Sequence, residues 1–430
     1  MKFASTRDDN LKTNFGDAMF HGLAPDGGLY IPCQFPIITA AGYYLLKNKT
    51  MHELGFTILS KYLSEIPDDN LKKIIVDALS FPIPLILLED NIYLLEVFHG
   101  PTLAFKDVGA RFMANILAYF AAAENRHINI IVATSGDTGS AIASAFHHMP
   151  NVDVFILYPS GKVSRLQEQQ ITTFGGNIHA LEVTGTFDDC QRLVKTALSD
   201  SALQKKINLT TANSINIARL LPQIIYHAWG LIQLQNDGVD DLPVISVPSG
   251  NLGNLMSAVY AHMMGFSVKY LIAAMNINTV FVDFLDTLEF KAKPSQKSLA
   301  NAMDVGNPSN IERIQNLYSH RPEQIRKDIK GYSISDKEII DEIRYTYDET
   351  GYILDPHTAV GTAAARKPGN IDTPTIVTAT AHPAKFPEVI KQAIDIDIEL
   401  PERLQVVLDK PKQSVKIAPD YDVLKKVLEG

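Results

Sequence analysis

Two cysteines in 430 residues, Cys33 and Cys190, are too few and too far apart for a disulfide framework or a paired-cysteine zinc site. A reducing compartment is the expected setting. The chain also lacks a basic excess: 39 Lys and Arg stand against 48 Asp and Glu, a net charge of -9, the wrong sign for binding a phosphate backbone. No nucleic acid partner is expected. No apolar run reaches the roughly 18 residues of a membrane span, and the charged start MKFASTRDDN does not resemble a signal peptide. We expect a cytoplasmic chain with no membrane partner. Metal-type histidine spacing is missing too, since the adjacent His147 and His148 would diverge on a helix.

What is present is an ordinary globular composition, 46% hydrophobic and 20% charged, in a chain too long for one core of about 250–300 residues. Up to about Ser80 charged helical patterns alternate with turns such as Pro25-Asp26-Gly27-Gly28, without strand–helix alternation. The prolines of Phe81-Pro82-Ile83-Pro84 interrupt any helix there. The expected division is an N-terminal cap over 1–85 and a catalytic region of two α/β subdomains over 86–430.

Beyond that boundary, short β-branched runs recur, most followed by a turn and an amphipathic stretch. They are 128–134, 152–158, 177–183, 244–247, 270–274 and 375–379. Such units predict an α/β fold of mostly parallel sheets flanked by helices, with ligands beyond the carboxyl ends of the strands. The basic, Pro-bearing stretch 291–298 is expected to be an exposed loop, 337–350 a helix, and Lys410-Pro411-Lys412 the lead into a last short helix.

Two turns share one spelling. Ser249-Gly250-Asn251-Leu252-Gly253-Asn254 follows an apolar strand and precedes a helical pattern, so its N–H groups can converge on an anion at a helix N-terminus. It has neither the Gly-Lys-Ser/Thr ending of a P-loop nor the dinucleotide G-x-G-x-x-G, and taken alone it equally fits an ordinary strand-to-helix turn. Thr134-Ser135-Gly136-Asp137-Thr138-Gly139 fits either a carboxylate or phosphate site or simple helix capping by Ser135 or Asp137.

A third segment runs from His99 to Asp107. Thr102 is placed to cap a helix whose apolar period, through Phe105, Phe112, Met113, Ile116, Leu117 and Phe120, sets Lys106 in its first turns. A lysine at a positive helix end between Phe105 and Val108 is disfavoured as ammonium, which suits Schiff-base chemistry; the alternative is a surface lysine paired with an acid. In 211–219, Asn213, Ser214 and Arg219 offer an amide, a hydroxyl and a guanidinium suited to a phosphate, or else a cap and a surface arginine. His382 reads as structural. Thr380 ends another strand, where a hydroxyl can meet a ring nitrogen or cap a turn.

The order and joint presence of these motifs, together with Gly22 to Tyr30 near the start and Thr380 to Phe386 near the end, resemble the threonine synthase family of fold type II pyridoxal-phosphate enzymes. The resemblance covers nearly the whole chain. It implies pyridoxal 5'-phosphate as cofactor, held covalently by Lys106, with its phosphate on Gly250, Asn251, Leu252, Gly253 and Asn254 and its ring nitrogen at Thr380. It implies O-phospho-L-homoserine as substrate, converted with water to L-threonine and phosphate. Thr134, Ser135, Asp137 and Thr138 would border the substrate carboxylate and cofactor ring, and Asn213, Ser214 and Arg219 would receive the leaving phosphate. Two positions depart from the wider pattern: Asp137 stands where asparagine is common and Ala104 where serine is common. Leu252 stands where phenylalanine is often found.

Overall fold

Apolar β-branched runs build strands here wherever both faces of a sheet can be covered. The computed structural model describes residues 1–124, 126–370 and 372–430. At the N-terminus β1 (Phe3–Ser5), β2 (Lys12–Thr13) and β3 (Tyr30–Pro32) form an antiparallel sheet in the order β2-β1-β3. The sequence pattern predicted no strands in this stretch, because strands of two or three residues are too short for alternation to register. Helices Met51–Leu59 and Asp68–Ala78 follow, the first started by a Thr50–Glu53 capping box. They pack on helices Gln223–Asn236 and Lys106–Glu124 respectively. Phe3, Phe15, Leu54 and Ile75 accordingly share one continuous core with Phe112 and Ile225.

Among the described residues, eleven further strands make two larger sheets. They are β4 (Leu85–Glu89), β5 (Ile92–Glu96), β6 (Ile128–Ala133), β7 (Val152–Pro159), β8 (Ile178–Val183), β9 (Leu209–Thr211), β10 (Val244–Pro248), β11 (Tyr270–Met275), β12 (Ile329–Ser333), β13 (Thr375–Ala379) and β14 (Val415–Ile417). One sheet has the order β12-β11-β10-β13-β5-β4, the other β14-β8-β7-β6-β9. Every pairing in them is parallel except the β4–β5 hairpin. Parallel strands must be covered on both faces, and every residue of β6, β10, β11 and β13 is buried. The mixed α/β architecture with mostly parallel sheets agrees with the sequence pattern.

The chain leaves the larger sheet after β5, completes β6 to β9 in the smaller one, and returns at β10. This exchange carries the carboxyl ends of β5, β6, β9, β10 and β13 to one cleft, where each feeds a loop or helix start. Stretch 291–297 is exposed, and helix Asp336–Thr350 begins with a Ser335–Glu338 capping box and ends on Gly351 in the left-handed region. Strand β14 then precedes the last helix, Tyr421–Glu429.

Candidate active site

The cleft brings together all fourteen residues singled out above: Lys106, Thr134, Ser135, Asp137, Thr138, Asn213, Ser214, Arg219, Gly250, Asn251, Leu252, Gly253, Asn254 and Thr380. None of the residues lining it comes from 1–85; that stretch is hydrogen-bonded to elements around the cleft. Met19 O accepts from Thr210 Oγ1 (3.0 Å) and Asn216 Nδ2 (2.8 Å), and Tyr30 O accepts from Arg313 Nε (3.0 Å).

Lys106 is the first residue of helix Lys106–Glu124. Its approach is set by a short strand-like contact: Phe105 N–H donates to Thr380 O (2.8 Å), His382 N–H donates to Leu103 O (3.1 Å), and Ala104 bridges Ala381. Lys106 therefore starts beside the end of β13. Its amine has no hydrogen-bond or ion-pair partner among the described residues, and the Phe105 ring lies 5.8 Å away. Burial, assisted by Lys385 and Arg219 and opposed by Asp137, lowers its pKa from 10.5 to about 8. Thr102 is not the cap that the sequence suggested. It lies four residues before the helix and gives both its N–H and its hydroxyl, at 2.8 Å each, to the buried Asp107 carboxylate.

The turn after β10 is an open helix start. Leu252, at φ +59°, precedes helix Gly253–Met263 and no side chain caps it. The first-turn N–H groups consequently have no acceptor within the described chain. A Cβ at Gly250 would sit 2.7 Å from Met303 Cα, so only glycine lets this backbone pass. Asn254 is buried and its Oδ1 accepts from Tyr226 Oη (2.7 Å), while its Nδ2 has no partner. Unanswered N–H groups at a positive helix end fit the phosphate of pyridoxal phosphate. Asn251 serves differently from the rest of the turn: its amide donates to Ser214 Oγ (2.6 Å) and accepts from Ser309 N–H (2.6 Å), bracing the loop.

The turn after β6 is partly closed. Thr134 Oγ1 accepts from Gly136 N–H (2.9 Å) and Gly139 N–H (2.8 Å), so this hydroxyl fixes the turn instead of facing a substrate. The cap of helix Asp137–Phe146 is Gly136, not Ser135 or Asp137. Ser135 and Thr138 line the cleft and make no side-chain hydrogen bond among the described residues. Asp137 is buried, and its Oδ1 meets Lys385 Nζ at 2.8 Å and Gln167 Nε2 at 3.1 Å. Burial opposes its charge, but Lys385, Lys106 and His357 together hold its carboxyl below the usual range.

Beyond β9, the Asn213 amide is tied into the fold. It donates to Ala133 O (2.8 Å) and accepts from Ala133 N–H (3.1 Å), tying two strand ends together. Ser214 Oγ accepts from Asn251 Nδ2 and from Asn310 Nδ2 (3.3 Å), which leaves its proton to donate outward. Among the described residues Arg219, which is buried, has no carboxylate partner; one NH1 bond goes to Ala212 O and its Nε has no partner there. Burial lowers its pKa to about 10, with Asp107 acting in the opposite direction. An unpaired, buried guanidinium suits an anion.

Thr380 contributes a hydroxyl with no partner among the described residues, while its N–H donates to Thr358 Oγ1 (3.1 Å). His382 has the structural role expected: Nδ1 accepts from Ala384 N–H (3.1 Å) and the ring meets Phe98 edge-on. Sequence reasoning missed His357, which lines the cleft. Its Nδ1 lies 2.9 Å from Asp355 Oδ1 and its Nε2 accepts from Ala302 N–H (3.1 Å), so the ring clamps the 301–303 turn against Gly250. Phe187, Gln191 and Gln223 were missed too. No local pattern marks any of them, although an Asp-Pro-His-Thr at a helix start is a capping signal.

A buried lysine with a lowered pKa, an open helix start and a free hydroxyl at the ends of parallel strands together suit a pyridoxal-phosphate-dependent enzyme. The family model described as "Pyridoxal-phosphate dependent enzyme" matches residues 81–380. Those described as "Threonine synthase N terminus" and "Threonine synthase, C-terminal" match 2–79 and 358–428. The threonine synthase of Escherichia coli K12 is 39% identical over 100% of this chain and 99% of its own. A crystal structure of Escherichia coli threonine synthase superposes with a TM-score of 0.95 at 38% identity, over 100% of this chain and 99% of that one. A pyridoxal-phosphate-bound threonine synthase from Brucella melitensis gives 0.93 at 33%, with the same coverage. The chain belongs to the threonine synthase family. It is a pyridoxal-phosphate-dependent lyase acting on a small molecule, and no helix among its described residues is long and apolar enough to cross a membrane.

Proposed function

We propose that this enzyme converts O-phospho-L-homoserine and water into L-threonine and phosphate, in the cytoplasm, with the residues of the cleft in the following roles. Lys106 holds the cofactor covalently, Gly250 to Asn254 hold its phosphate, and Thr380 faces its ring nitrogen. When bound, pyridoxal phosphate supplies an electron sink for negative charge developing at the substrate α-carbon. Lys106, released by the substrate amine, takes the α-proton, a β-proton is lost as the γ-phosphate leaves, and Lys106 returns protons to the γ- and α-carbons. A hydroxyl at Thr380 does not deliver a full positive charge to the ring nitrogen, which moderates the sink. Ser135 and Thr138 bind the substrate carboxylate. Arg219 and the Ser214 hydroxyl bind the γ-phosphate and stabilise it as it leaves, before water adds at the β-carbon.

The observation that carries this reading is that one cleft holds two separate sets of unanswered donors. The open helix start at Gly253 suits one phosphate, and Arg219, buried and without an acid, suits a second. A dehydratase acting on free serine or threonine has no use for the second. The test is Arg219→Ala. We expect turnover of O-phospho-L-homoserine to fall by about 100-fold or more, given roughly 1.5–3 kcal/mol for each charged hydrogen bond lost. The visible absorbance of bound cofactor should persist. Undiminished turnover of the phosphorylated substrate would refute the assignment.

A further inference from the structure

Lys385 is the last residue of the turn Pro383–Lys385, just beyond the end of β13, and its side chain is 0% exposed. Its ammonium donates to Asp137 Oδ1 (2.8 Å) and to Thr102 O (3.0 Å). Thr102 in turn holds Asp107, the neighbour of Lys106 in sequence. One buried cation thus joins the end of β13 to both the Lys106 helix and the helix begun by Asp137. Such burial costs several kcal/mol per ion, and an apolar pair of similar shape often does as well or better for stability. Stability alone is a poor reason for the pair.

The charges around Lys106 supply a better one. Asp137 faces it from helix Asp137–Phe146, Arg219 from helix Ile217–Leu220, and Lys385 from the 383–385 turn; Asp107 is its own neighbour, and His357 acts on Asp137. Asp137 is the acid that opposes deprotonation of Lys106. With Lys385 on Oδ1, and Gln167 sharing the same oxygen, that acid is already answered.

From this geometry we infer that Lys385 is a positioning residue: it captures the Asp137 carboxylate, so that Asp137 does not pair with the Lys106 amine, and the two residues act as one neutral unit. This rests on Lys106 being the lysine that bears the cofactor. Borohydride reduction of the wild-type holoenzyme and peptide mapping check that reading independently; an adduct elsewhere would defeat it whatever Lys385 does.

The test follows the rate at which the apoprotein develops visible absorbance with added pyridoxal phosphate, as a function of pH. Lys385→Gln keeps a donor for Thr102 and removes the charge. We expect its midpoint to rise by about one pH unit or more, and the rate at pH 7 to fall roughly tenfold. Asp137→Asn should move the midpoint the opposite way. The double variant should return to within about half a pH unit of wild type. Opposite shifts that cancel are a signature of charge, which a packing role would not produce. If Lys385→Gln does not fold, Asp137→Asn and the double variant still decide. An adduct at Lys106 with midpoints unmoved, or moved the same way in both single variants, would overturn the inference.

Discussion

Ser135-Gly136-Asp137-Thr138-Gly139 and Ser249-Gly250-Asn251-Leu252-Gly253 have the same spelling and the same place, each leaving a buried parallel strand for a helix. Their N–H groups meet opposite fates. In the first turn the preceding residue, Thr134, answers two of them with its hydroxyl, and an acid stands at the positive helix end. In the second the corresponding residue is Pro248, which has no hydroxyl, and the amide of Asn251 turns away to Ser214. The shared glycines specify a tight turn. The residue ahead of it decides how many of the turn's N–H groups the chain answers and how many it leaves for an anion.

The strongest way to break this contrast is to add one methyl group to the open turn. In Gly250→Ala the new Cβ meets backbone at Met303, in a turn that His357 pins through Ala302, so the obstruction cannot rotate aside. We expect pyridoxal phosphate to bind about 100-fold more weakly, equivalent to two charge-assisted hydrogen bonds misplaced, while the far-ultraviolet circular dichroism of the apoprotein is unchanged. Wild-type affinity in this variant would mean that the open turn does not hold the cofactor.

The closed turn should respond in the reverse sense. Thr134→Val keeps the shape and removes the acceptor for two N–H groups in a buried turn. A loss of about 2 kcal/mol in unfolding free energy is expected from denaturant titration of the apoprotein, roughly 30-fold in the folding equilibrium. Cofactor affinity should change by less than about threefold. A larger effect on affinity than on stability would show that the two turns are not functionally distinct.

How far the sequence reveals this contrast depends on the range of the interactions involved. The glycines, the β-branched runs and the lysine at a helix start are local, so six of the strands and the convergence of the site could be read directly. Which hydroxyls and amides are taken could not. Thr134, Asn213 and Asn251 look like ligands in sequence because their residue types bind anions, but Thr134 is taken by the backbone of its own turn, and Asn213 and Asn251 by groups that folding brings from 80 and 37 positions away. Lys385 lies 248 positions from Asp137, and His357 55 from Ala302. Strands β9, β12 and β14 escaped for another reason. The first and last have three residues and the middle one, Ile-Lys-Gly-Tyr-Ser, has only one buried position.

Lys106 lies between the two turns and reports on both, which gives the finest of these comparisons. The acid of the closed turn raises its pKa, whereas burial, Lys385 and Arg219 lower it, and the balance falls at about 8. Only the neutral amine is nucleophilic, and a lowered pKa increases that form as pH rises through 8 instead of through 10.5. Roughly a tenth of Lys106 should be neutral at pH 7 and about nine tenths at pH 9, so its labelling rate in the apoprotein should rise about tenfold over that interval and then level off. An unshifted lysine would rise about 100-fold over the same interval and keep rising past pH 10. Amine-selective labelling with peptide mapping separates the two curves. A rate still climbing steeply beyond pH 9 would mean that Asp137 is not neutralised at the closed turn, and that the difference between the turns does not extend to the charge each presents to the cleft.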